Sequence, residues 1–254
     1  MIQIRIEKSK DALGKAAAAL GAQKIRAAIE DRGAANIVVA TGASQFEMLA
    51  ALVRLDAVDW ARVTAFHLDE YIAMAETHPA SFRRYLRERF TSKLPRLGAF
   101  HFIRGDSPDL ASELRRMNAL IERHPIDVAF AGIGENAHLA FNDPPADFEA
   151  EAAFRVVELE ERCRRQQFDE GWFPTLDDVP HQAISMTIPQ IMRSHLVVLS
   201  VPDRRKAAAV RATLEGPITP MVPASILRRH PACHLFLDLE SAALIAQPVR
   251  AIDD

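Results

Sequence analysis

The feature that most constrains this chain is an alternation. Short runs rich in β-branched and aromatic residues repeatedly give way to stretches of about 10–15 residues with helically spaced apolar side chains. "IQIRI" precedes an alanine-rich helical stretch over 11–31 that stops at Gly33, and "NIVVATG" precedes "SQFEMLAALVRL". "VTAFHLD" then leads to "SFRRYLRERF", "AFHFI" to "PDLASELRRMNALIER", and "IDVAFAGIG" comes next as a further strand. The second half is less regular: "FRVVEL" and "HLVVLSV" read as strands, "RKAAAVRATLEG" as a helix closed by Gly216, and "CHLFLDL" as a last strand before a terminal helix. "DEGWFPTLDDVPHQ", with its glycine, prolines and acids, reads as a loop. This pattern predicts an α/β fold, Rossmann-like, with a mostly parallel sheet covered by helices on both faces. No repeat of fixed period or low-complexity linker divides the chain, so residues 1–254 are expected to form one domain.

Composition narrows the partners. With 254 residues, 49% hydrophobic and 26% charged, the chain can bury a large core. A formal net charge of −3 and the absence of a Lys/Arg run give no electrostatic footprint for nucleic acid or an anionic membrane, so neither is expected as a partner. "RERFTSKLPR" and "CRRQQ" read as solvated helix faces. Cys163 and Cys233, far apart and outside any C-x-x-C, suggest neither a disulfide framework nor a zinc site. The amino terminus lacks the apolar core of a signal peptide, and no apolar run approaches the ~18 residues of a membrane span. A cytoplasmic location is expected, and a homo-oligomer stays open.

In sheets of this kind ligands bind beyond the carboxyl ends of the strands, which selects four places. "ATGASQFEML" delivers Thr41, Gly42, Ala43 and Ser44 ahead of a helix, a phosphate cradle in outline; Ser44 as an ordinary helix cap is the plainer reading. It has neither the lysine of a nucleotide P-loop nor the G-x-G-x-x-G spacing. "FHLDEY" places Asp69 and Glu70 together, and because neighbours in an extended chain point oppositely, one can face a cleft while the other pairs with the scaffold. "GIGENAHLAFNDP" gathers Asn136, His138 and Asp143: a histidine suited to moving a proton near neutral pH and a carboxylate able to orient its ring. No second histidine stands at ligand spacing beside it, so no metal site is expected. In "SVPDRRKAAAV", Lys206 opens a helix, where a cation gains nothing from the dipole unless an anion shares the place.

Taken in order, these stretches resemble the glucosamine-6-phosphate deaminase family and its relatives, the sugar-phosphate isomerases and 6-phosphogluconolactonases. "ATGASQ" is similar to that family's "PTGGTP", "FHLDEY" to "FNMDEY", "HPASFRRYL" to "HPESY", and "GIGENAHLAFNDP" to "GxGxDGHIAFNEP". The resemblance implies a catalytic set of Asp69, Asn136, His138 and Asp143. Asp69 would move a proton between C2 and C1, and His138, supported by Asp143, would open the sugar ring. Thr41, Gly42, Ala43, Ser44, Lys206 and an arginine of "ERCRRQQ", Arg164, would hold the phosphate. It implies a small sugar phosphate as partner and no metal or organic cofactor. Asn136 and Asp143 depart from the family's aspartate and glutamate, and Ala137 from its glycine. Two other readings are weighed. A lactonase is disfavoured because "LAFNDP" and "DEY" stand where lactonases have "ASLFP" and "DER". A non-catalytic sugar-phosphate sensor is disfavoured because both Asp69 and His138 are retained.

Overall fold

The computed structural model describes residues 2–246. Seven strands form one parallel sheet in the order β1-β10-β9-β6-β2-β3-β5: β1 (Gln3–Glu7), β2 (Ala35–Val39), β3 (Val63–His67), β5 (Ala99–His101), β6 (Val128–Ala131), β9 (Leu196–Val201) and β10 (Cys233–Asp238). Helices α1 (Lys10–Arg32), α2 (Phe46–Leu52), α3 (Phe82–Arg89), α4 (Leu110–Glu122), α6 (Ile188–Met192) and α7 (Ala207–Glu215) lie between them. The expected parallel α/β architecture is present.

The central strands β2, β6 and β9 are almost wholly apolar and buried because both faces of the sheet are covered there. In β2, Ile37 and Val39 enter one core with Leu13, Ile25, Met48 and Leu49 of α1 and α2, while Val38 enters another with Met117 and Ile121 of α4. The same alternation divides Val128 and Phe130 from Ala129 and Ala131 in β6. A period of two thus sorts one continuous run into two cores.

Three features were not expected. "VTAFHLD" is not one strand: it breaks at Leu68, and β4 (Asp69–Tyr71) joins a second, antiparallel sheet with β8 (Gln182–Met186) and β7 (Phe154–Glu158), in the order β4-β8-β7. A carboxylate continuing along β3 would enter an apolar layer. The break instead turns Asp69 out at the edge, opposite Ser185. The basic run "ERCRRQQFD" forms α5 (Glu161–Asp169), which is partly buried through Cys163, Arg164, Gln166 and Gln167, so it is not simply a solvated face. The terminal helix is not seen among the described residues: 239–244 form turns, and residues 247–254, over which that helix would continue, lie outside the described part of the chain. No helix among the described residues is long and apolar enough to cross a membrane.

Helix α1 packs close because its buried face is small, with Gly14, Ala17, Ala18, Gly21 and Ala22. A methyl group built on Gly21 would lie 2.2 Å from the ring of Phe130. Gly21→Ala should therefore lower stability by about 1–3 kcal/mol, the usual cost of overpacking, despite the better helix propensity of alanine. Urea denaturation checks this: the midpoint falls at an unchanged slope, and an unchanged or raised midpoint would show that the helix can back away.

Candidate active site

The strand order reverses between β2 and β6. From β2 the chain moves outward through β3 to β5, then returns to place β6 on the other side. The crevice at such a reversal is where open α/β sheets hold ligands. Four adjacent strands, β9, β6, β2 and β3, end there, and they are the four that precede the stretches singled out in the sequence. Their loops enclose an open cleft of about 520 Å³ whose walls include Thr41, Gly42, Ala43, Ser44, Asp69, His138 and Lys206.

The first wall is the loop after β2. Gly42 adopts φ 95°, in a region that favours glycine, and its carbonyl accepts a hydrogen bond from the Tyr85 hydroxyl at 2.9 Å. The fully buried Gln45 braces the loop: its Nε2 donates to the Ser44 hydroxyl at 3.1 Å and to the carbonyls of Ala131 and Ser200, each at 3.3 Å. Three strand ends are thereby fixed by one amide. Because α2 has only 7 residues, the cradle depends more on hydroxyls and main chain than on a helix dipole.

Lys206 lines the same cleft. It is 5% exposed, and among the described residues its ammonium has no hydrogen-bond or ion-pair partner. Burial pulls its pKa down, opposed by the more distant carboxylates of Glu170 and Glu135. A buried unpaired cation is costly and becomes intelligible when an anion completes it.

Asp69 and Glu70 separate as their alternation predicts. Glu70 is fully buried and accepts from the main-chain N–H groups of Tyr71, Phe82 and Arg83 at 3.0, 3.2 and 2.7 Å, and from the Ser81 hydroxyl at 3.1 Å. It is a scaffold group that holds the start of α3. Asp69 lines the cleft with no hydrogen-bond partner among the described residues, and its carboxyl is pushed up to about 8 by burial and then by the charge of Glu70.

His138 faces the same space. Its Nδ1 lies 3.0 Å from Asp143 Oδ1, and the Nε2 edge rests over Gly134, where an added methyl group would come within 2.2 Å of Nε2. Gly134 is thus required by close approach of the ring. Burial opposes ionisation of Asp143, but its bonds to His138, the Asn136 amide and the Glu160 N–H prevail and hold it below the usual carboxylate range. Asn136 and Asp143 lie behind His138 instead of on the cleft wall. Ala137, with φ 66°, occupies a left-handed position and buries its methyl in the apolar core.

The assignment of Arg164 needs correction. Its Nε donates to the Val179 carbonyl at 3.1 Å and its Nη2 to the Leu176 carbonyl at 2.8 Å, so the guanidinium clasps the loop before β8 and does not line the cleft. On α5, residues two and three positions onward point elsewhere, and it is Gln166 and Gln167 that reach the cleft, with Glu170 one turn further. These three were not singled out in the sequence because neutral amides in a helix carry no chemical signature; helical spacing from Cys163 was the available signal. His138, Asp143 and Cys163 also bring ligand-type atoms within 4.8 Å of one another. The imidazole Nδ1 is committed to Asp143, and burial pushes the Cys163 thiol well above its ordinary pKa, so the trio is poorly prepared to bind a cation.

A buried carboxyl, an oriented imidazole and a lone ammonium stand around one crevice at the strand ends of a Rossmann-like sheet. Residues 8–235 match the family described as glucosamine-6-phosphate isomerases/6-phosphogluconolactonase, and the chain belongs to it. It is similar to a glucosamine-6-phosphate deaminase of Oenococcus oeni, with 35% identity over 89% of this chain and 93% of the relative. A glucosamine-6-phosphate deaminase of Streptococcus pneumoniae serotype 4 is 32% identical over 84% of this chain and 89% of its own length. The solved structure of a monomeric glucosamine-6-phosphate deaminase superposes with a TM-score of 0.85 at 29% identity, covering 96% of this chain and all of the other (100%). A 6-phosphogluconolactonase from Shewanella baltica, 18% identical, shares the fold with a TM-score of 0.77 over 94% of this chain and 97% of its own.

The raised Asp69 carboxyl predicts a pH-dependent penalty on stability. In the unfolded chain this group ionises near its ordinary 3.8, whereas in the folded protein it keeps its proton up to about 8. Its contribution is fully present below the lower value and is lost as pH rises through the upper one. Asp69→Asn, which cannot ionise, should gain in melting temperature over the unmodified protein from about pH 4 to 8, with a constant advantage beyond. Equal melting curves at pH 5 and pH 9 would place Asp69 in a more hydrated setting than its burial indicates.

Proposed function

We propose that the chain is a hexosamine-6-phosphate deaminase that isomerises a 2-amino-2-deoxyaldose 6-phosphate to the ketose 6-phosphate with release of ammonia. The observation that carries this reading is that one cleft gathers the unpaired ammonium of Lys206, the buried carboxyl of Asp69 and an oriented histidine. The ammonium, with Thr41, Gly42, Ala43 and Ser44, would hold the phosphate remote from the reacting carbons and supply binding energy for positioning. His138 Nε2, with Nδ1–H held by Asp143, takes the proton of the anomeric hydroxyl and returns it to the ring oxygen. Asp69 then takes the C2 proton and delivers it to C1, while a second proton passes from the amino group to the carbonyl oxygen O1. The C2 imine that results adds water and loses ammonia, leaving the ketone.

The raised Asp69 carboxyl fits this order of events. A protonated acid is no base, but the ammonium of an arriving amino sugar lowers the pKa of a neighbouring carboxyl and helps it to ionise. The lactonase reading receives less support, since the lactonase neighbour at 18% identity speaks for the fold alone. We also propose that the whole chain acts as one domain.

Ammonia release from a panel of hexosamine 6-phosphates, with 6-phosphogluconolactone hydrolysis in parallel, tests the reading. Asp69→Asn should abolish exchange of the C2 proton in deuterated water while retaining phosphate-dependent binding. Near-normal exchange in that variant would remove Asp69 from the mechanism. Lys206→Ala should weaken binding of the phosphorylated sugar by about ten- to a hundredfold, since a charged hydrogen bond is worth roughly 1.5–3 kcal/mol. Equal losses for the unphosphorylated sugar would reduce Lys206 to a structural part.

A further inference from the structure

Position 136 holds an amide between two carboxylates. Asn136 Nδ2 donates to Asp143 Oδ1 at 2.9 Å and to Glu160 Oε2 at 2.8 Å, while its Oδ1 accepts the His138 N–H at 3.2 Å. Glu160 closes the circuit from the other side, because its own main-chain N–H donates to Asp143 Oδ2 at 3.0 Å. Asp143 is therefore gripped at both oxygens, and through it the imidazole is held in one orientation. The place requires two donors and an acceptor in a short side chain, which asparagine supplies and aspartate does not.

Glu160 belongs to neither the catalytic loop nor the cleft wall. It is the exposed residue at the start of α5. The same helix is fastened to the loop at two further points: Gln166 Oε1 accepts the Glu135 N–H at 2.9 Å, and Arg162 Nη2 donates to the Glu135 carbonyl at 3.3 Å. The contacts join two segments that are remote in sequence and contribute different walls of one site.

We propose that Asn136 and Glu160 form a latch that positions the His138–Asp143 dyad by tying the catalytic loop to α5, so that ring opening depends on an exposed residue outside the loop. The role in ring opening rests on the deaminase reading; the latch itself does not. Replacing the amide by an acid reverses the logic of the circuit. Asn136→Asp removes both donors and sets a third carboxylate against Asp143 and Glu160. The titratable groups facing this cluster are Asp143 and His138 from the loop and Glu160 and Cys163 from α5. Crowded carboxylates bind protons more readily, so the damage should be relieved as pH falls. Adding Glu160→Gln removes one charge and returns a donor.

Two measurements decide the proposal. In thermal melting without substrate, Asn136→Asp should lose more at pH 9 than at pH 5, and the double variant with Glu160→Gln should recover part of the loss at pH 9. In turnover of a hexosamine 6-phosphate, Asn136→Asp should slow reaction of the closed sugar by roughly 10²-fold, the lower end of what a positioned acid–base group supplies, and an acyclic amino sugar phosphate far less. Melting curves that match the unmodified protein, or a deficit equal at both pH values and untouched by Glu160→Gln, overturn the latch. Pairing seen in melting with equal losses for closed and acyclic substrates overturns its positioning role. Should the unmodified protein release no ammonia from any hexosamine 6-phosphate, the functional reading fails and the melting arm decides the latch by itself.

Discussion

Lys206 and Asp69 face one cleft with no side-chain partner among the described residues, and taking their polar ends largely out of water is unfavourable. The remainder of the structure can be understood as what makes Lys206 and Asp69 tolerable in one cleft. Two apolar cores, on opposite faces of the seven-stranded sheet, supply the favourable burial. The sheet in turn fixes where the strands end, and Gln45 ties three of those ends together. The site is preorganised because its walls are extensions of the core.

Within the site, neighbouring acids take different roles according to their donors. Glu70 receives four hydrogen bonds and supports a helix; Asp69, one residue away, receives none among the described residues and faces the cleft. Asp143 is kept ionised by the groups around it, whereas burial keeps the Asp69 proton in place up to about 8. Two carboxyls with opposed tendencies, one held charged by its donors and one held neutral by burial, are what the proposed pair of proton transfers would use.

The parallel strands and most of the helices were legible because period and length distinguish them even in apolar sequence. The second sheet was not. "VTAFHLD" has no residue that announces a break at Leu68, and β4 has only three residues, whose place is set by pairing with β8, far along the chain. That Asp69, His138 and Lys206 would come together at one cleft was legible because each is a titratable group at a strand end, where burial is costly. Arg164 was given a phosphate role only by the family resemblance, and its direction is decided by helical phase and by two loop carbonyls. His67 shows the converse case. It stands two residues before Asp69, yet it is fully buried with neither ring nitrogen partnered, and burial followed by the charge of Arg83 pushes it down to about 3. Such an imidazole stays neutral and serves as packing.

Residues that only accept or donate were the hardest to see, and they decide the details of the cleft. Lys206 is the one lysine or arginine on its wall, and Glu170 brings a carboxylate to the same space. The glutamates and glutamines of α5 mostly engage one another and the adjoining loops: Gln166 Nε2 donates to Glu170 Oε1 at 2.9 Å, and Trp172 Nε1 donates to Glu170 Oε2 at 3.2 Å. Gln167 differs. Its Oε1 accepts from the buried Tyr71 hydroxyl at 3.0 Å, which directs the amide nitrogen away from Tyr71 on a residue that lines the cleft. The positions of the polar groups around the cleft are what the hydrogen bonds of Gln45, Asn136 and Tyr71 maintain.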